Sequence, residues 1–204
     1  TLPNAILPCG VFQPDDDVPL PDWKVNNKDK IILGYCGNLG EAHSVEFLLS
    51  VVKNLDPAKY HLVLQVYGEK SQRFLSQIDT EQEGISLIDG ISRPQLGLID
   101  IHLVSLLSKW SHVCVPSKAV SAVCAGSGFV FYGTKDCDNW DRLGKACWLV
   151  DEGDAQNIDW NVAHLLANID RDSLEEKKNA ARRISESLNA EVDHAFSTIS
   201  DLAS

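Results

Sequence analysis

The stretch IILGYCGNLGEAHSVEFLLSVV, residues 31–52, decides how this chain folds. An apolar run gives way to Gly37-Asn38-Leu39-Gly40, after which Val45, Leu48, Leu49 and Val52 fall on one helical face. The pattern predicts a buried strand, a tight turn and an amphipathic helix. Gly34, Gly37 and Gly40 stand three residues apart, which invites comparison with phosphate-binding loops. The dinucleotide fingerprint is G-x-G-x-x-G with an acid about 20 residues further on. Here the spacing is G-x-x-G-x-x-G, Gly34 belongs to the strand, and Glu69, the acid after the second strand, is too distant. A Walker loop fails because no Gly-Lys-Ser/Thr follows. What remains is a turn in which Gly37 and Gly40 let the backbone bend and approach a ligand. A helix start expected at Glu41 would offer it free N–H groups. A ligand-free strand-to-helix turn accounts for the same residues.

The alternation continues outward from this stretch. YHLVLQVYG, ISLIDG, IDIHLVSL, GFVFYG and KACWLV read as further strands. KSQRFLSQI and PSKAVSAVCAG read as helices between them, and KDCDNWDRLG as a short helix or turn. Near-continuous apolar strands alternating with helices predict an α/β, Rossmann-like doubly wound parallel sheet of about six strands. Residues 1–29, with prolines at 3, 8, 14, 19 and 21, read as a connector. Residues 30–155 form the sheet domain, and residues 156–204 form C-terminal helices packed on it. In the last of these Leu174, Ala181, Ile184, Leu188, Val192 and Phe196 make an apolar stripe.

The 204 residues are 44% hydrophobic and carry a formal charge of −11, which suits a soluble domain and argues against nucleic acid and anionic membrane as general partners. No apolar run is long enough to span a bilayer. The six cysteines show no C-x-x-C pairing and no zinc-like spacing, so they read as reduced thiols of a cytoplasmic protein, and no metal is expected.

Ligands of doubly wound sheets bind at the carboxyl ends of the strands. There PSKAVSAVCAG places Lys118 in the first turn of a helix, where the dipole disfavours a cation unless an anion faces it. Ser117 can cap that helix or offer its hydroxyl, and Ser121 lies one turn on. In YGEKSQRF, Gly68 ends a strand, and Lys70 and Arg73 follow, with Lys70 read as solvated surface. His43 reads as a helix-surface residue or as a group orienting a leaving group. Asp136, Asp138 and Asp141 read as a solvated turn. No catalytic residue stands out.

In their order, NAILPCGVFQP, GYCGNLGEAHSVEFLL, VYGEKSQRFL, IDIHLVSL and VPSKAVSAVCAGSGFVFYG resemble the C-terminal, donor-binding domain of GT-B glycosyltransferases. The nearest branch is the glycogen-synthase-like clan of bacterial sugar transferases. The resemblance implies a transferase that moves a hexose-type sugar from a nucleotide-sugar donor, often UDP-linked, as in polysaccharide biosynthesis. By the same resemblance Gly37, Asn38, Leu39, Gly40 and Gly68 approach the diphosphate, and Arg73 and Lys118 neutralise it. Ser117 and Ser121 contact phosphate or ribose, Asp89 and Gly90 lie near the base, and His43 lies on the donor side. The nucleotide sugar is a co-substrate, and neither cofactor nor metal is implied. The chain departs from many relatives in having Val113 and Ser121 where they carry glutamates, and Gly126-Ser127-Gly128 where they carry Gly-x-Pro. It also resembles only the back half of such enzymes. A sugar or lipid-linked acceptor would bind a missing N-terminal domain, through which the protein could sit at a membrane, and this chain alone is expected to be inactive. The alternatives are an NAD(P)-dependent Rossmann oxidoreductase or epimerase, disfavoured by the glycine spacing, and a non-catalytic nucleotide-sugar-binding module.

Overall fold

A computed structural model describes residues 10–13, 18–137 and 140–203. After a short helix α1 (Asp22–Val25) come β1 (Ile31–Asn38), α2 (Val45–Lys53), β2 (Tyr60–Tyr67), α3 (Ser71–Leu75), β3 (Ile85–Leu87), β4 (Ile101–Ser105), α4 (Ser117–Cys124), β5 (Gly128–Gly133), α5 (Trp140–Leu143), β6 (Cys147–Asp151), α6 (Ile158–Asn168) and α7 (Arg171–Ala203). The strands form one sheet in the order β3-β2-β1-β4-β5-β6, with every pairing parallel. This is the doubly wound α/β sheet that the alternation predicts. Between β3 and β4 the only helical element is a 3-10 turn, Pro94–Leu98. Among the described residues no helix is long and apolar enough to cross a membrane.

Two apolar layers sandwich the sheet. On one face α2 and α6 cover β1, β2 and β4 through Phe47, Leu48, Val51, Val162 and Leu166. On the other, α4 and α7 cover β4 and β5 through Val120, Val123, Ala181 and Leu188. Gly34 is where β1 meets the loop before β4. A Cβ there would lie 2.5 Å from Ile99 Cδ1, so the strand tolerates no side chain at that point. The buried imidazoles of His61 and His102 are bonded to Ser86 Oγ and the Leu96 carbonyl.

One residue of the C-terminal stripe departs from expectation. Leu174, Ala181 and Leu188 are buried, as is Ala195, but Phe196 is 57% exposed. Steps of seven residues hold one face of a helix, while each step of four advances it by about 40°. Following Leu188 through Val192 to Phe196 therefore walks off the face that Ala195 keeps.

Candidate functional site

The strand order reverses between β1 and β4, and these two strands pair only through Leu33↔Ile101 and Gly34↔His102. Beyond that contact they no longer pair, which puts the switch-point crevice expected of a doubly wound sheet at their carboxyl ends. β1 instead stays registered with β2 to its last residue, Asn38↔Tyr67. The turn after β1 therefore hangs beside β2 and bridges to β4.

Residues 38–43 of this turn are held in an uneven way. All six of their carbonyls accept a hydrogen bond. The Asn38 carbonyl takes Tyr35 Oη (2.8 Å) and Lys118 Nζ (2.9 Å). Leu39 accepts from Lys70 N, Gly40 from His43 N, and Ala42 from Leu107 N. The Glu41 and His43 carbonyls share Lys70 Nζ at 3.0 and 3.1 Å. The donors are fewer: Leu39 N reaches the Tyr67 carbonyl, while the N–H groups of Gly40, Glu41 and Ala42 donate to nothing among the described residues. A run of three unpaired amides beside two ammonium groups carries a positive potential suited to an anion.

Lys118 crosses to this turn from the first turn of α4. It passes close over Gly37, whose φ of +123° favours glycine and where a Cβ would lie 3.2 Å from Lys118 Cε. The ammonium sits 5.4 Å from the centre of the Tyr35 ring and 3.1 Å from His43 Nε2. His43 Nδ1 in turn donates to the Ser105 carbonyl at 2.6 Å, at the end of β4. Burial brings Lys118 down to about 8, with neighbouring Cys36 opposing the shift. Burial, then the Lys118 charge, bring His43 down to about 4, against the pull of the Ser105 carbonyl.

Several expectations need correcting. α2 starts at Val45 rather than Glu41, because Ser44 caps it by accepting from Phe47 N, and Ser44 N is itself held by Ser105 Oγ. The amides near Gly40 thus belong to a turn, not to a helix end. Ser117 is the first residue of α4 behind a Pro116 cap and makes no capping bond. Lys70 is not solvated surface, since its side chain is 17% exposed and clamps the turn. Arg73 is the exposed one, paired with Glu46 at 2.6 Å.

The structure brings Gly37, Asn38, Leu39, Gly40, His43 and Lys118 together. Gly68 joins them from the end of β2: at φ +100° a Cβ on it would lie 1.9 Å from Asn38 Oδ1. Ser121 lies half-buried one turn further along α4. Asp89 and Gly90 are exposed just beyond β3. His112 stands 3.8 Å from Asp136 on the surface, Asp141 lies in α5, and Asp138 falls outside the described residues. Sequence reasoning missed Tyr35 and Ser105, both buried inside apolar strand runs that read as core.

No family model and no curated protein matches the chain. Solved structures do. The C-terminal domain of a glycosyl transferase group 1 family protein (LpcC) from Francisella tularensis superposes with a TM-score of 0.61 at 12% identity, covering 87% of this chain and 95% of that one. The Escherichia coli trehalose-6-phosphate protein bound with UDP-2-fluoro glucose gives 0.60 at 14% identity over 91% of this chain. The GtfA/B complex gives 0.64 at 14% identity over 93% of this chain. The chain spans 47% of the E. coli protein's length and 37% of the matched GtfA/B chain. The fold is therefore that of the C-terminal half of a GT-B glycosyltransferase.

Proposed function

We propose that the chain is the donor-binding half of a nucleotide-sugar-dependent glycosyltransferase, with a UDP-linked hexose-type sugar as donor. The observation that carries this reading is the imbalance of residues 38–43, whose carbonyls are all engaged while the amides of Gly40, Glu41 and Ala42 are left for an anion. A diphosphate set across the crevice would meet those amides on one side and Lys118 on the other. Such a clamp stabilises the departing nucleoside diphosphate with fixed dipoles and a cation, without requiring a metal. Ser117 and Ser121 extend the clamp along α4, and Asp89 and Gly90 flank the side where a base would lie. The UDP ligand named for the E. coli neighbour supports the choice of nucleotide. The sugar or lipid-linked acceptor belongs to a second domain, which fits a chain that spans under half of the E. coli protein and of the matched GtfA/B chain. We place this work in the cytoplasm, within polysaccharide assembly.

A second reading, a nucleotide-sugar-binding module without turnover, draws on Val113, which is 72% exposed where many relatives carry a glutamate. A thermal-shift panel of UDP, GDP, ADP, UDP-sugars and NAD(P) tests the donor assignment. UDP compounds should raise the melting temperature most. Stabilisation by NAD alone would end it in favour of a Rossmann oxidoreductase.

A further inference from the structure

The crevice holds one arrangement that binding a diphosphate at Lys118 leaves unexplained: an ammonium donating to an imidazole. The His43 ring is fixed on both sides. The Ser105 carbonyl can only accept, so Nδ1 carries the ring proton and Nε2 presents a lone pair. That lone pair takes Lys118 Nζ at 3.1 Å. Tyr35 meets the ring edge-on at 6.4 Å. The titratable and charged groups facing the pair are Tyr35 and Cys36 from β1, and Lys70 from the turn after β2 with Glu41 4.0 Å beyond it. β4 contributes only the neutral Ser105. Burial disfavours protonation of His43, and both cations next to it oppose it as well.

We propose that His43 is a second anion-binding residue of the donor site, which takes up a proton when a nucleotide diphosphate draws Lys118 away from it. This rests on the donor-site reading above. A phosphoryl oxygen accepts the Lys118 N–H, and the bond from Lys118 to Nε2 breaks. The freed lone pair on Nε2 then binds one proton from solvent. The imidazolium keeps its Nδ1–H on the Ser105 carbonyl and turns Nε2–H into a donor to the same anion. Burial and the two lysines keep the ligand-free imidazole neutral, and the negative charge of the diphosphate offsets the lysines. One proton is taken from buffer, no bond to carbon changes, and the site gains a positive charge only while occupied.

Calorimetric titration with UDP-glucose tests this, because its diphosphate diester has no group that titrates near neutrality. In two buffers of different ionisation enthalpy at about pH 6, binding should take up about 0.5–1 proton. His43→Gln, which keeps a polar side chain of similar reach, should bind several-fold more weakly and take up none. Binding by the wild-type chain without proton uptake, or equal uptake by the glutamine variant, overturns the proposal and leaves the donor site standing. Failure of the wild-type chain to bind UDP-glucose counts against both. Should the variant not fold, the imidazole nitrogen resonances of the wild-type chain decide. They should show a neutral Nδ1–H tautomer in the free chain and a titration that moves up by about two units or more when UDP-glucose saturates the site. An unchanged titration overturns the proposal.

Discussion

The two ends of the sheet each hold a half-buried charge, and they treat it in opposite ways. At the amino end Asp100 accepts from Ile32 N at 2.9 Å, from Lys178 at 2.6 Å and from Lys24 at 3.4 Å. Burial works against its charge, but Lys178, the Ile32 amide and Lys24 outweigh that and hold the carboxyl below the ordinary range. The result ties α1 and α7 to the sheet. At the carboxyl end Lys118 has no carboxylate partner among the described residues, where it meets a carbonyl, a neutral imidazole and the face of Tyr35, and its charged form is disfavoured. One charge is neutralised and stabilises the fold. The other costs stability, and on the proposed function the partner that would offset it is an anion. A charge kept at a loss, beside amides with no partner, marks function rather than architecture.

Breaking the satisfied end should have the largest effect. Asp100→Ala removes the common acceptor of two lysines and a strand amide, and should destabilise the chain by about 3 kcal/mol in urea unfolding. The depressed carboxyl fixes the sign with pH. Its contribution is present above the ordinary aspartate value and is lost as acid titrates it below that value. A change below about 0.5 kcal/mol, the range of neutral surface substitutions, would mean the cluster ties nothing together.

Gly68→Ala probes the scaffold of the open end. The new Cβ meets Asn38 Oδ1 in a backbone region that side chains avoid, so it should cost about 2 kcal/mol. It should also loosen the 38–43 turn, seen as faster amide exchange at Leu39. Unaltered exchange there would show that the turn does not depend on the approach of β2.

The smallest effect carries the opposite sign. Lys118→Met removes an uncompensated charge while keeping most of the stem, and should stabilise the empty chain by about 1 kcal/mol at neutral pH. In the wild-type fold the charge is costly below about 8, and the cost fades as pH rises from there to the ordinary 10.5. The advantage of the variant should fade over the same interval. If Lys118→Met is destabilising at every pH, the lysine is a staple for the turn and nothing more.

How much of this was legible in the sequence follows from what each feature depends on. Strand and helix identity depend on local periodicity, so IILGYC and YHLVLQVYG read correctly as strands. Gly34 read correctly too, as a strand glycine, although its reason is a contact with Ile99 that no local pattern contains. Lys118 was visible because a cation at a helix start violates a local rule. Its partners were not, because Asn38 and His43 lie 80 and 75 residues from it and meet it only through the fold of the sheet. The exchange of roles between Lys70 and Arg73 was hidden for a similar reason. Both follow β2 in one polar stretch, and only the path of the turn after β1 decides which of them it covers.

Calorimetric titration of UDP and UDP-glucose into the wild-type chain and Lys118→Met, with NAD as the control, tests most directly whether the carboxyl end is a nucleotide-diphosphate site. The wild-type chain should bind the UDP ligands and not NAD, and the variant, though more stable, should lose about 10- to 150-fold in affinity, the range for a charged hydrogen bond. Equal affinity of the two chains would contradict a diphosphate site at Lys118.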